Sequence, residues 1–203
     1  MIRPRMVVPF LAVLMVANAG AQSNVVTDVT ITEPGSYKLD ELFKVSDAVV
    51  FVKVLSGDTE NYEKAVYKGE VIRSFKGMAP GQTMYFGPFI GERLGWEYVL
   101  FLRNSSKRAT PKTTANASYG AVQYWKVFDE GYSSMETSYE CVFEGKETAQ
   151  QCDYGVRVCT DYIKLPKTVS AVPPEENDPP FGCRWVRKTT FLSLLDGLGG
   201  SKK

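Results

Sequence analysis

Apolar runs separated by glycine, proline and charged turns dominate the middle of the chain. Residues 48–55 (AVVFVKVL) form a continuous apolar run rich in β-branched side chains, which favours a buried strand. Residues 62–75 predict a long strand bent at Gly69, because a glycine inside a strand commonly marks a bulge or a corner. Two further strands are predicted at residues 83–86 and 96–102. Strands joined by tight turns, with a bend in one of them, predict a small closed or nearly closed barrel.

Shorter elements are predicted on both sides of these strands. Residues 25–31 (VVTDVTI) alternate apolar and polar side chains as a half-buried strand does, and residues 39–43 have the apolar spacing of a helix of one or two turns. Residues 103–118 carry no apolar period and predict an exposed loop, whereas residues 121–128 (AVQYWKVF) again predict a strand.

The C-terminal end predicts a linker followed by a helix. Residues 172–182 (VPPEENDPPFG) are typical of an extended proline-rich linker. The helix is predicted to start at a cap formed by Thr189 or Thr190 and to stop at residues 199–200, where two glycines follow each other. Its apolar side is formed by Phe191, Leu194, Leu195 and Leu198.

The N-terminus has the basic, apolar, small order of a secretory signal. Two arginines precede an apolar stretch over residues 6–17, which is too short to cross a bilayer comfortably, so a retained membrane anchor is the disfavoured interpretation. We predict a signal peptide over residues 1–21, cleaved before Gln22, with cleavage before Gly20 as the alternative. The predicted location is therefore secreted or periplasmic.

All four cysteines lie in the C-terminal third of the chain, and export favours their oxidation to two disulfides. Four cysteines permit three pairings. Cys141–Cys152 is preferred because it would close a hairpin-like loop, and Cys159–Cys183 because it would tie down the proline-rich segment. A zinc site is disfavoured, since the chain has no histidine and no CxxC pair.

Three strings in the middle of the chain, SDAVVFVKVLSG, SFKG and YVLFL, resemble the netrin-like module shared with tissue inhibitors of metalloproteinases. The resemblance covers residues 46–102 and implies an OB-like five-stranded barrel. The predicted fold is mostly β, with an OB-like barrel domain over residues 22–135. The fold also contains short helices and a disulfide-stapled C-terminal extension over residues 136–203, which includes the proline-rich linker and the terminal helix.

The chain differs from the metalloproteinase inhibitors at its predicted mature N-terminus. The inhibitors chelate a protease zinc through an N-terminal cysteine that a disulfide holds in place, whereas the predicted first residue here is Gln22 and the first cysteine is Cys141. The resemblance therefore implies the scaffold alone, and we predict no inhibition of zinc proteases through the chain terminus.

The amino-acid composition excludes most known catalytic arrangements. A chain without histidine has no Ser-His-Asp triad, no Cys-His pair and no HExxH zinc site, and no glycine-rich phosphate-binding motif occurs. The prediction is a non-enzymatic protein without a cofactor or a metal. Two carboxylates acting as in glycosidases remain the enzymatic alternative, although no spacing singles out a pair.

The loop at residues 87–96 (GPFIGERLGW) holds the candidate binding residues Phe89, Arg93 and Trp96, because aromatic residues and arginine anchor protein interfaces. The alternative is that Trp96 begins a core strand and Phe89 caps the barrel. A second candidate is a stacking platform for sugar or nucleic acid, formed by Tyr119, Tyr124, Trp125 and Tyr132.

Charge and composition restrict the class of partner. Removal of the signal peptide changes the net charge from +1 to −1, which argues against nucleic acid, and no later segment has the length of a transmembrane span. Asn104 and Asn116 fit the glycosylation pattern, which matters only in a eukaryote. We predict an exported binding protein whose partner is another protein. A secreted carbohydrate-active enzyme and an envelope-associated structural module are the alternatives.

Overall fold

The computed structural model describes residues 36–57, 65–87, 91–106, 108–109, 122–128, 133–144, 152–173 and 182–200, all within one compact unit, Pro34–Lys203. Their elements are β1 (Tyr37–Lys38), α1 (Leu39–Val45), β2 (Ala48–Gly57), β3 (Tyr67–Lys76), β4 (Thr83–Gly87), β5 (Glu97–Arg103), β6 (Arg108–Ala109), β7 (Val122–Gln123), β8 (Trp125–Val127), β9 (Ser134–Glu136), β10 (Phe143–Glu144), β11 (Cys152–Asp153), β12 (Gly155–Cys159), β13 (Ile163–Lys164), β14 (Ala171–Val172), β15 (Cys183–Arg187) and α2 (Lys188–Gly200). Within this part of the chain, no helix is both long enough and apolar enough to cross a membrane.

Five strands form a closed barrel in the order β2, β3, β4, β8 and β5, and the pairing of β5 with β2 closes it. β4 and β8 run parallel, whereas the other neighbouring pairs of the barrel are antiparallel. β9 also pairs with β5. The predicted fold class, a mostly β protein with an OB-like five-stranded barrel, is confirmed.

Two glycines allow the chain to bend and turn within this barrel. The β2–β3 pairing shifts register next to Gly69, where a Cβ atom would lie 3.1 Å from the ring of Phe86. Gly77 follows β3 with φ of +80°, and a Cβ atom there would lie 2.2 Å from the carbonyl oxygen of Asp47. The bend predicted at Gly69 therefore coincides with a register shift and leaves little room for a side chain, and the turn at Gly77 excludes one.

The apolar run of β2 is continuous because both of its faces are buried. Alternate residues of β2 and β5 point into the barrel and contribute to the inner core, while the residues between them point outward. The inner core consists of Ala48, Val50, Val52, Val54, Ala65, Tyr67, Val71, Met84, Phe86, Tyr98, Leu100, Leu102 and Val127.

A second layer covers the outward face of the barrel and encloses an outer core. It contains α1, α2, the β1–β13 pair and the sheet β12–β15–β14. The outer core consists of Leu39, Leu42, Phe43, Val49, Phe51, Phe75, Val99, Phe101, Phe128, Met135, Val156, Val158, Ile163, Val186, Phe191, Leu192 and Leu195. The C-terminal extension therefore completes a core that the barrel strands begin.

The disulfide Cys159–Cys183 joins directly opposed residues of β12 and β15, as predicted. Cys141 is also disulfide-bonded, and β10 pairs with β11 in the predicted hairpin. The side chain of Cys152 lies outside the described residues, as do residues 1–35 and most of the proline-rich linker.

The terminal helix differs from the prediction at its start. It begins at Lys188, so Thr189 and Thr190 lie in its first turn, and the Thr189 hydroxyl donates a hydrogen bond to Asp153 (2.9 Å). The helix ends at Gly200, within the predicted stop at residues 199–200. The predicted loop after β5 contains β6, and the strand predicted at residues 121–128 is divided into β7 and β8.

Candidate functional site

The loop between β4 and β5 continues into an ordered turn at one end of β2. The Gly95 amide donates to the Val54 carbonyl (2.8 Å), and the Val54 amide donates to the Trp96 carbonyl (2.9 Å). The Trp96 amide donates back to the Arg93 carbonyl (3.2 Å). Gly95 has φ of +81°, which closes this turn. Residues 91–96 are therefore tied to the barrel by main-chain hydrogen bonds.

Glu92 anchors the loop from below through its side chain. Ser134 donates a hydrogen bond to one carboxylate oxygen of Glu92, and the Glu92 amide donates to the Tyr67 hydroxyl (3.3 Å). The Arg93 amide donates to the Tyr98 hydroxyl (2.9 Å), which also interacts with the Glu92 carboxylate. The other carboxylate oxygen, Oε2, is sealed from solvent and has no hydrogen-bond partner among the described residues.

Burial dominates the electrostatics of this anchor. Loss of solvation raises the pKa of Glu92 to about 7, against the lowering effect of hydrogen bonds from Ser134 and Tyr98, and the nearby Glu136 raises it further. Burial and the charge of Glu92 raise the pKa of Tyr98 as well. Glu92 therefore exchanges a proton near neutral pH, and its carboxylate also holds the loop in place.

The outer surface of the loop is an aromatic stack that we call the barrel-end patch: Arg93, Leu94, Trp96 and Tyr139. The Arg93 guanidinium lies 4.3 Å from the centre of the Trp96 ring, and that ring lies 4.2 Å from the ring of Tyr139. The Tyr139 hydroxyl donates to the Gly95 carbonyl (3.1 Å). Leu94 and Tyr139 are 58% and 56% exposed, so the patch presents apolar surface to solvent.

A polar cavity of about 350 Å³ adjoins the patch. Across it, the Lys188 ammonium pairs with Glu97 (2.7 Å) and lies 5.8 Å from the centre of the Tyr154 ring. The lining residues are Lys53, Gly95, Glu97, Thr137, Ser138, Tyr139, Tyr154 and Lys188. Because these residues come from five separate segments of the chain, no local sequence pattern could have identified them.

The structure brings together two of the three predicted binding residues. Arg93 is exposed and stacks on Trp96, which is half-buried against the inner core, while Phe89 lies outside the described residues. Tyr139, which the sequence analysis missed, completes the stack. Nothing in the sequence around Tyr139 distinguishes it from the other tyrosines of the chain, which contains eleven.

The second predicted cluster is not a stacking platform at the residues that the structure describes. Tyr124 is buried, and Trp125 packs against the inner core. Tyr119 and Tyr132 lie outside the described residues. Among the residues described, no three histidine, cysteine or acidic side chains are grouped as a metal site would require.

Comparisons of the chain with protein-family models, with curated proteins and with solved structures found no match. The resemblance to the netrin-like module therefore stays a prediction.

Proposed function

We propose that this protein is an exported, non-enzymatic binding module of netrin-like type, and that its partner is another protein that docks on the barrel-end patch. The observation that carries the proposal is the stack of Arg93 on Trp96 and of Trp96 on Tyr139. Arginine, tryptophan and tyrosine are the residues that contribute most binding energy in protein interfaces. Phe89 remains a predicted member of this surface.

The anchoring of the loop supports a binding role. Main-chain bonds to Val54 and side-chain bonds through Glu92 fix residues 91–96 before any partner arrives. Association then costs less conformational entropy than it would for a loose loop. Exposed Leu94 and Tyr139 offer apolar area within the patch, and Arg93 offers five hydrogen-bond donors.

Export is supported by two features of different origin. The N-terminal 21 residues have the pattern of a cleavable signal, and the Cys159–Cys183 disulfide suits an oxidising compartment. We therefore place the chain from Gln22 onward outside the cytoplasm, in the periplasm or the medium.

Site-specific photocrosslinking in the native compartment tests the proposal. A benzophenone amino acid at position 94 should crosslink one specific protein, because Leu94 is exposed within the patch. The same amino acid at position 72 is the matched control, since Ile72 on β3 is 43% exposed and lies outside the patch. Identical products from both positions, or no product from position 94, would contradict the proposal.

One observation favours the second candidate, a carbohydrate-active enzyme. Glu92 has the raised pKa of about 7 that a general acid requires, and Glu136 is close enough to influence it. In this case glycan hydrolysis should be lost in Glu92→Gln and kept in Glu140→Gln, in which an exposed carboxylate is replaced. A glycan panel on which the wild-type protein is inactive would remove this candidate.

A further inference from the structure

We infer that a groove along helix α2 binds an amphipathic anion, a ligand with an aliphatic body and one negatively charged head group. The groove has a volume of about 1000 Å³ and lies between α2, the start of α1 and the segment that follows β13. It shares no lining residue with the barrel-end patch or with the polar cavity beside it. The inference is therefore independent of the proposed function.

The floor of the groove is apolar and rests on the outer core. Leu39 belongs to that core, and Leu165, Leu194 and Leu198 pack against it while remaining partly open to the groove. The volume is at the upper end of the range for small-molecule sites, about 300–1000 Å³. An aliphatic chain can fill such a space without leaving polar groups unpaired.

Helix α2 lines the groove with side chains that change in character along its length. Thr190 and Ser193 present hydroxyl groups near its start, and Leu194 and Leu198 follow on the same lining. One end of the groove therefore offers hydrogen bonds and the other offers apolar contact. A ligand with a polar head and an apolar body matches this division.

The charges around the groove select the sign of the head group. Lys38, Lys164 and Lys167 line it, and Asp40 is the one acidic residue of the lining. Asp40 is paired with Lys44 (3.5 Å), and Lys38 is paired with Glu41 (3.3 Å). Lys164 and Lys167 have no ion-pair partner among the described residues, so they carry the surplus charge. The surplus of positive charge favours an anionic head over a neutral or cationic one.

Calorimetric titration of the chain from Gln22 onward, with dodecanoate below its micelle concentration, tests the inference. Dodecanol and dodecyltrimethylammonium carry the same chain with a neutral and a cationic head. Dodecanoate should bind at least roughly tenfold more tightly than either, a factor that corresponds to about 1.4 kcal/mol. Lys164→Glu/Lys167→Glu should remove most of that preference, with dodecanol binding unchanged.

A groove-filling variant locates the site. A Cβ atom at Gly197 meets no atom within 4 Å, so Gly197→Leu should fill the groove and abolish dodecanoate binding. The helix tolerates this change, because leucine is a better helix former than glycine. Gly200→Leu is the matched control, since Gly200 lies in equally open space outside the groove and should leave binding unchanged.

Several results would overturn the inference. If Gly197→Leu still binds dodecanoate, the ligand binds elsewhere on the protein. If dodecanol binds as tightly as dodecanoate, the groove does not select a negatively charged head group. Absence of dodecanoate binding with binding to phosphatidylglycerol vesicles would assign the groove to a membrane surface. Absence of both, with self-association in sedimentation that Gly197→Leu abolishes, would assign it to a second copy of the chain. Absence of all three would leave the groove without a ligand.

Discussion

The inner and outer cores use the same two strands but are closed in different ways. β2 and β5 bury one set of side chains in each core. The inner core is enclosed by strands that pair all the way round, so main-chain hydrogen bonds surround it. The outer core is covered by short strands, two helices and a disulfide. We conclude that the barrel is the more self-sufficient structure and that the outer layer depends on it.

Removal of one large aromatic side chain from each core should have the largest effect and test this dependence directly. Phe86 fills the inner core and Phe191 of α2 the outer core, and both are fully buried. Each change to alanine should cost about 3–5 kcal/mol in the free energy of unfolding. In Phe86→Ala, hydrogen exchange should show a loss of protection in both cores. In Phe191→Ala, protection should be lost first in α2, β12 and β15. Identical exchange profiles would break the comparison.

Breaking the Cys159–Cys183 disulfide should loosen the outer layer alone. Its sequence separation of 24 residues corresponds to a loss of about 3.5 kcal/mol in the loop-entropy treatment when both cysteines become serine. Exchange protection should fall in β12 and β15 and persist in β2 and β5. An equal loss of protection in β2 would show that the two cores unfold as one unit.

The same contrast explains what the sequence predicts and what it does not. The runs 48–55 and 96–102 are long and apolar, so these barrel strands can be located from pattern alone. Most outer strands are two to five residues long, too short to show a period, and their partners are distant in sequence. Helix α2 and its end were predicted, but its start at Lys188 was not, because the Thr189 hydroxyl donates to Asp153 across the fold instead of capping the helix.

The candidate site is predictable to the same limited extent. Arg93 and Trp96 are three residues apart in one loop, so their proximity can be expected from the sequence. The position of Tyr139 and the burial of Glu92 cannot be expected in this way. Both arise because β9 and the residues that follow it pack beside β5. Contacts between residues that are distant in the sequence produce no local sequence pattern from which they could be predicted.

Glu92 should make the stability of the barrel depend on pH. Its pKa of about 7 in the folded protein exceeds the ordinary value of 4.5, so its stabilising contribution is complete below about pH 4.5 and is lost as pH rises through 7. That gap corresponds to roughly 3 kcal/mol. Glu92→Gln mimics the protonated side chain. The free energy of unfolding of this variant should therefore fall less between pH 5 and 8 than that of the wild-type protein.

Urea unfolding at several pH values measures this effect. Tyr67, Tyr98, Ser134 and Glu136 surround the carboxylate, and none of them is altered in the Glu92→Gln variant. Glu140→Gln, at an exposed position, is the control and should keep the wild-type pH profile. A wild-type profile in Glu92→Gln would show that another group carries the pH dependence.

Replacement of Arg93 by alanine should have the smallest effect on stability and a large one on binding. Arg93 is exposed and belongs to neither core, and its stacking on Trp96 contributes about 0.5–1 kcal/mol at such a site. Arg73→Ala is the control, because Arg73 is also exposed and lies 5.4 Å from the ring of Phe75. Arg73 additionally pairs with Asp196, but an exposed ion pair of this kind contributes only about 0–1 kcal/mol. The two variants should therefore melt within a few degrees of each other and of the wild-type protein.

Binding to the partner crosslinked at position 94 separates the two arginines. An arginine at the centre of an interface commonly contributes about 2 kcal/mol or more, which weakens binding more than tenfold when it is removed. Arg93→Ala should show that loss, whereas Arg73→Ala should bind like the wild-type protein. If Arg93→Ala unfolds the barrel, the loop is part of the inner core and not a surface built on it. If both variants bind equally well, the barrel-end patch is not where the partner docks.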